Sequence, residues 1–318
     1  MLGNFWFKKE KPLVGLTGMG GGVGSNLVGG GSTEFSASGG TETTPGNGYK
    51  YHTFTSTGAD TFIVRNGPVD IQLLVVAGGG GAGGYRCSGG GAGGLIYYGT
   101  TSSTSTAGAS IPVTSGTHSI QVGAGGTGGD PNSSLNGTPS YFGPVVSTGG
   151  GAARQGPIGG NGGSGGGWGV DQPGGNPNID GGTGISGQGF PGGGTNPFTG
   201  GGGVCGGGGG AGARGGNTSD ARGGHGGDGL QFPDFTGPLI GVPALNPLNG
   251  YFAGGGAGAA GPSNYGFTGG TGGSGGGASS NGAGVTNSGG GAASGYPQSN
   301  NTPQPGGPGI VVVRYQIT

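Results

Sequence analysis

The sequence is short of almost everything from which a globular enzyme is built. Charged residues fill 7% of its 318 positions and apolar residues 29%, and it has two cysteines and three histidines. So little charge argues against ordinary disorder, which is rich in charged side chains. A formal net charge of −1 leaves no basic footprint for nucleic acid or an anionic membrane surface. No apolar run reaches 18 residues, so no membrane-inserted helix is expected. Cys87 and Cys205 allow one disulfide at most, and set in glycine runs without a secretory context they read as two reduced thiols. His52, His118 and His225 stand far apart, and the 11 carboxylates are scattered. Spacing therefore assembles neither a metal site nor a catalytic triad, and the expectation is a non-enzyme with no cofactor.

What is present is glycine, 101 residues of it. Collagen needs Gly at every third position with abundant Pro. The run from Gly78 through Gly81, Ala82, Gly83 and Gly84 breaks that period, and 21 prolines are too few. Fixing one glycine costs roughly 0.5–1 kcal/mol more than fixing an alanine. With little apolar surface to offset this, a folded chain must rely on main-chain hydrogen bonds between closely approaching segments. The expectation is packed extended or polyproline-II-like strands.

Three zones differ in texture. Residues 1–48 open with Phe5-Trp6-Phe7-Lys8-Lys9-Glu10-Lys11-Pro12-Leu13, an aromatic cluster and a charge knot with no internal partner. This reads as a leader that docks into another protein through residues 1–28, with Phe5, Trp6, Phe7, Lys8, Lys9 and Leu13 as contacts. A partly disordered leader is the plainer alternative. Its aromatics precede its lysines, the wrong order for a signal peptide. Residues 49–122 read as strands: Tyr49 to Thr55 alternates with period two, Thr61 to Arg65 follows a turn, and Val69 to Val76 has the apolar second half of a central strand. Leu95 to Thr100 and His118 to Val122 continue the sheet, and Ile310 to Ile317 brings the last strand from the C-terminus. The fold class is therefore all-β: a small antiparallel sheet or sandwich closed by the C-terminal strand, with little or no helix. Residues 49–318 form one module, and residues 123–307 are a long glycine-rich excursion within it.

Two motifs in the glycine runs resemble ligand sites. Gly78, Gly80 and Gly83 satisfy G-x-G-x-x-G after a strand, but Tyr85-Arg86-Cys87-Ser88-Gly89 cannot continue as the required helix, and no acidic residue lies between Asp70 and Asp130. Gly223 to Leu230 matches one calcium-binding nonapeptide around Asp228, but such sites need tandem copies, and chance is the preferred reading. Aromatics that punctuate the glycine zone are better candidates for recognition, either stacking on sugars or meeting a receptor protein. Trp168 and the glycine-poor insert with Phe232, Phe235, Tyr251 and Phe252 are the candidates for exposure, against the alternative that such rings cover glycine segments as local cores.

The order Thr53-Phe54-Thr55, Val69 to Gly84, Gly93-Gly94-Leu95-Ile96-Tyr97, Ile120 to Gly126, then Gly309 to Tyr315 resembles the glycine-rich domain of phage and marine bacterial surface proteins. Residues 7–27 resemble leaders of structural proteins from tailed phages of marine cyanobacteria. The resemblance implies packed polyglycine-II helices in the excursion. It further implies a virion structural protein, a tail-fibre or appendage adhesin contributing to host attachment, with a capsid or tail decoration protein anchored by its leader as the alternative. The implied setting is the virion surface after assembly in the host cytoplasm. The implied partners are other virion proteins and a host receptor, protein or glycan, with self-association left open.

Overall fold

A computed structural model describes residues 35–84, 88–99, 108–129, 133–154, 159–169, 180–194, 204–219, 221–260, 267–295 and 302–317. All belong to one compact unit, Phe35–Thr318. The docking candidates Phe5, Trp6, Phe7, Lys8, Lys9 and Leu13 lie outside the described residues.

The strands are β1 (Ser36–Ser38), β2 (Thr41–Thr43), β3 (Tyr49–Phe54), β4 (Gly58–Arg65), β5 (Val69–Val76), β6 (Leu95–Tyr98), β7 (Ile111–Val113), β8 (Gly116–Val122), β9 (Ser140–Phe142), β10 (Val145–Ser147), β11 (Leu230–Gln231), β12 (Tyr251–Phe252) and β13 (Ile310–Gln316). Two short 3-10 helices, Pro233–Phe235 and Pro243–Leu248, are the helical content among the described residues. The protein is all-β. One large sheet has the order β1-β4-β8-β9-β10 and a second β2-β3-β13-β5-β6, with β7 pairing β5, while β11 and β12 form a two-stranded third; every strand pair is antiparallel. The C-terminal strand closes the fold as expected: β13 lies between β3 and β5, with Val312 opposite Thr53 on one side and Leu74 on the other. The leader read as extending to residue 48 contributes structure earlier than that, because Ser36–Ser38 and Thr41–Thr43 are edge strands of the two sheets.

The alternation of β5 and β13 explains why both are buried along nearly their whole length. Leu73 and Val75, with Val311, Val313 and Tyr315, enter a core between the two sheets together with Phe54, Phe62, Ile120, Val122 and Phe142. Leu74 and Val76, with Ile310 and Val312, point to the other face of their sheet. That face is covered by the glycine-poor insert, whose Phe232, Phe235, Ile240, Leu245 and Phe252 complete a second core with Tyr51, Leu95 and Tyr97. A sheet covered on both sides reads as continuous apolar sequence, as β5 does.

The glycine runs grow directly out of the strands: β5 continues into residues 77–82, β13 is preceded by 304–309, and β6 by 88–94. Within the runs, main-chain donors rotate among neighbours with a period of three. Ala77 and Gly80 donate to Gly94 and Gly91, Gly78 and Gly81 to Thr138 and Leu135, and Gly79 and Ala82 to Gly307 and Gln304. The run 205–210 shows a complete shell. Cys205 and Gly208 donate to Ala259 and Gly256, Gly206 and Gly209 to Trp168 and Gly165, and Gly207 and Gly210 to Gly216 and Ala213, all at 2.8–3.0 Å. Its carbonyls accept from three further runs, through Gly224 and Gly227, Gly89 and Ala92, and Gly193 and Phe190. A helix of three residues per turn with no internal hydrogen bonds presents its donors at 120° intervals. Six neighbours around this run is the resulting polyglycine-II packing, with parallel and antiparallel contacts mixed.

Candidate functional site

The aromatic residues expected to face a receptor are, with one partial exception, interior. Phe232, Phe235 and Phe252 are at most 1% exposed and form the second core, and Trp168, at 3%, packs on Cys205 and Ala259 inside the bundle. Only Tyr251 remains half-buried. The physical reason is that the outer face of the β3-β13-β5-β6 sheet carries Tyr51, Leu74, Val76 and Val312 and has no other cover, so the insert supplies it. Burial of the insert is reinforced by Arg314, a 3% exposed side chain on β13. Its Nη1 lies 2.9 Å from Asp234 Oδ2, and its guanidinium sits 3.8 Å from the centre of the Tyr49 ring. Burial alone would depress the Arg314 pKa, but the hydrogen bond from the guanidinium to Asp234 and the nearby Tyr51 and Asp234 hold it above its ordinary value.

The nonapeptide at residues 223–230 also has a structural explanation. In the run 222–228 every third side chain, Arg222, His225 and Asp228, faces outward, and the parallel run 268–274 presents Thr268, Thr271 and Ser274 beside them. Each is paired in register: Arg222 Nε with Thr268 Oγ1 at 3.3 Å, His225 Nδ1 with Thr271 Oγ1 at 2.7 Å, and Asp228 Oδ1 accepting from Ser274 N at 2.8 Å. Among the described residues no group of three or more His, Cys, Asp or Glu is arranged to hold a metal ion.

A concave feature of the described surface is a groove of about 560 Å³ where the bundle meets the insert. One wall is the segment 184–191, carrying Ser186, Gln188, Phe190 and Pro191; the other is Ala211, Gly212 and Leu230. The first wall is a tight turn in which Gln188 and Gly189 N both donate to the Ile185 carbonyl, with Gly187 at φ +79°. A left-handed residue at the third position of such a turn is where glycine is required. Gln188 fastens the turn to the sheets. Its Oε1 accepts from Thr148 N at 2.8 Å, its Nε2 donates to Val146 O at 3.4 Å, and its carbonyl accepts from Leu95 N. Phe190 is locked through its main chain, donating to Gly210 O and accepting from Gly165 N, while its side chain stays 45% exposed. The opposite wall is a second tight turn, in which Gly212 and Ala213 both donate to the Asp228 carbonyl, and Leu230 begins β11 beside it.

Phe190 is one of the aromatics that punctuate the glycine zone but was not among the candidates for exposure, Leu230 entered only as the apolar position of the nonapeptide match, and Ser186 and Gln188 were missed. The signal was weak: the tripeptide Ser186-Gly187-Gln188 marks a turn, but its lodging against β6 and β10 is a tertiary fact. Of the other aromatics that punctuate the glycine zone, Phe198, Tyr265 and Tyr296 lie outside the described residues.

A family model described as a glycine-rich domain matches residues 53–316. No curated protein matches this chain.

Proposed function

The chain belongs to the glycine-rich domain family, and from that premise we propose that it is a virion structural protein of a tailed phage, an appendage or tail-fibre adhesin that contributes to host-cell attachment. The observation that carries this reading is the six-neighbour bundle around residues 205–210. Its cohesion comes from main-chain bonds, so the turns that join its runs can change sequence without changing the scaffold. Recognition residues on turns held by a rigid frame are the usual economy of a binding protein. Apolar side chains at such turns are exposed here, Ile185 at 40%, Phe190 at 45% and Val285 at 37%. The groove at the first of these turns has no titratable side chain in its lining, which suits binding and gives no acid or base for catalysis. In this reading residues 1–28 dock the module onto other virion proteins, and the module faces the host surface.

The test is made on particles. Antibody raised against the purified chain should decorate virions in electron micrographs and block their adsorption to host cells. Absence of the chain from purified particles would overturn the proposal, and decoration without loss of adsorption would reduce it to a decoration protein.

A further inference from the structure

We propose that the groove between the 184–191 segment and Ala211–Leu230 is a binding site for a short neutral glycan, with Phe190 as the stacking platform. The inference rests on the recognition reading above and gives it a ligand class. Three observations lead there. The lining has no charged residue, so neither phosphate, sialic acid nor a basic peptide finds a counter-charge in it. Phe190 is 45% exposed in the groove lining on a main chain fixed by two hydrogen bonds, so the backbone that carries the ring is held in place. Ser186 and Gly187 line the same groove and are exposed, and among the described residues nothing hydrogen-bonds the Ser186 hydroxyl or the Gly187 N–H.

These features select among occupants. A purely apolar peptide side chain would strip water from the Ser186 hydroxyl and the Gly187 N–H without replacing it, at a cost of roughly 1–3 kcal/mol for each group. A uniformly polar ligand would gain nothing from the Phe190 ring and Pro191. A sugar ring has one face of C–H bonds and an edge of neutral hydroxyls that both donate and accept. It can lay the first on Phe190, whose ring face carries negative partial charge, and turn the second to Ser186, Gly187 and the neighbouring glycine main chain. The groove volume lies within the range of small-molecule sites, and its walls are tied into the bundle and to β6 and β10, so little ordering is needed on binding.

The experiment uses the full chain and saturation-transfer NMR with maltotriose, cellotriose and triacetylchitotriose as probes. At least one probe should show transfer concentrated on the C–H protons of one ring face, unchanged between about 0.05 and 0.5 M NaCl because no ion pair contributes. Phe190→Ala should weaken that binding by about tenfold or more, while Leu135→Ala, at an exposed residue outside the groove lining, should leave it unchanged. Thermal melting of both variants checks that they remain folded. No transfer to any of the three probes, or undiminished binding by folded Phe190→Ala, would overturn the proposal. The two readings fail separately. A chain that blocks adsorption but ignores all three sugars retires the groove and keeps the adhesin, whereas a sugar-binding chain absent from particles retires the adhesin.

Discussion

A methyl group added at Gly208 would lie 2.0 Å from the carbonyl oxygen of Gly90, and at Gly207 it would lie 1.9 Å from that of His225. Gly206, Gly209 and Gly210 are closed in the same way, with neighbouring carbonyls at 2.1–2.3 Å. Glycine is needed at these positions because another main chain occupies the place of a side chain, and a main chain cannot move aside without breaking its own bonds. Alanine occurs where the packing leaves a pocket: Ala82, Ala153 and Ala292 share one, and Ala257, Ala278 and Ala293 another. Gly208→Ala should therefore destabilise the protein by about 3 kcal/mol or more, the upper end of overpacking, whereas Ala292→Gly should cost about 1–2 kcal/mol from a lost methyl and a freer unfolded backbone. Denaturant midpoints of the two variants measure this asymmetry. The sequence alone could not show it, because a glycine facing a carbonyl and a glycine facing solvent are the same letter.

His52 provides a second prediction at this scale. It is fully buried, with Nδ1 donating to Gly39 O at 2.9 Å and Nε2 accepting from Tyr315 Oη at 3.2 Å. Burial lowers its pKa below the ordinary 6.5, despite the raising effects of the Gly39 hydrogen bond and of Glu42, while Lys50 lowers it further. The unfolded state then binds the proton more readily than the folded one. Stability should be constant with respect to this group above its unfolded pKa and should decline as pH falls below about 6.5, levelling off once the folded pKa is passed. His52→Gln should flatten that part of the pH–stability curve, and melting temperatures between about pH 4 and 8 give the readout.

The glycine-poor insert was the element most misjudged from sequence, and its composition explains why. Phe232-Pro233-Asp234-Phe235 has the look of an exposed loop, with two prolines and an acid close by, yet its rings pack onto the sheet in tilted and edge-on contacts: Tyr97 and Phe232 ring centres lie 4.8 Å apart, and Tyr97 and Phe235 5.7 Å. The missing information was that β5 and β13 are apolar on both faces, which requires a third layer. The sequence already held that clue in Leu73-Leu74-Val75-Val76. Phe235→Ala should cost about 3–5 kcal/mol. Asp234→Ala, which leaves Arg314 buried without its carboxylate, should cost roughly 1–3 kcal/mol, tempered by the partial exposure of Asp234. Urea titrations of both variants check these values. Strands such as β5, β8 and β13 were readable because each runs for seven or eight residues rich in β-branched and apolar side chains, near-continuous in β5 and β13. The edge strands β1, β2 and β10 were not, since three residues of Ser, Thr, Ala, Glu and Val carry no period.

At the scale of the whole molecule, the glycine zone is a folded, hydrogen-bonded continuation of the sandwich. A period of three was present in Arg222-Gly223-Gly224-His225-Gly226-Gly227-Asp228, where the outward residues recur, but unbroken glycine conceals it elsewhere. The groove was still less legible, because its walls come from separate segments, 184–191, 211–212 and Leu230, that meet only in three dimensions. Site-resolved amide hydrogen exchange tests this claim most directly. The amides of Gly78–Gly81, Gly89–Gly94 and Gly206–Gly210 donate to neighbouring runs as the amides of β5 and β13 donate to neighbouring strands, with Gly208 N to Gly256 O at 2.8 Å and Gly80 N to Gly91 O at 2.8 Å as examples. These glycines should exchange as slowly as Val75 and Val312, opening only with global unfolding. Exchange of the glycine amides at the rate of an unstructured chain, while Val75 and Val312 stay protected, would contradict the account.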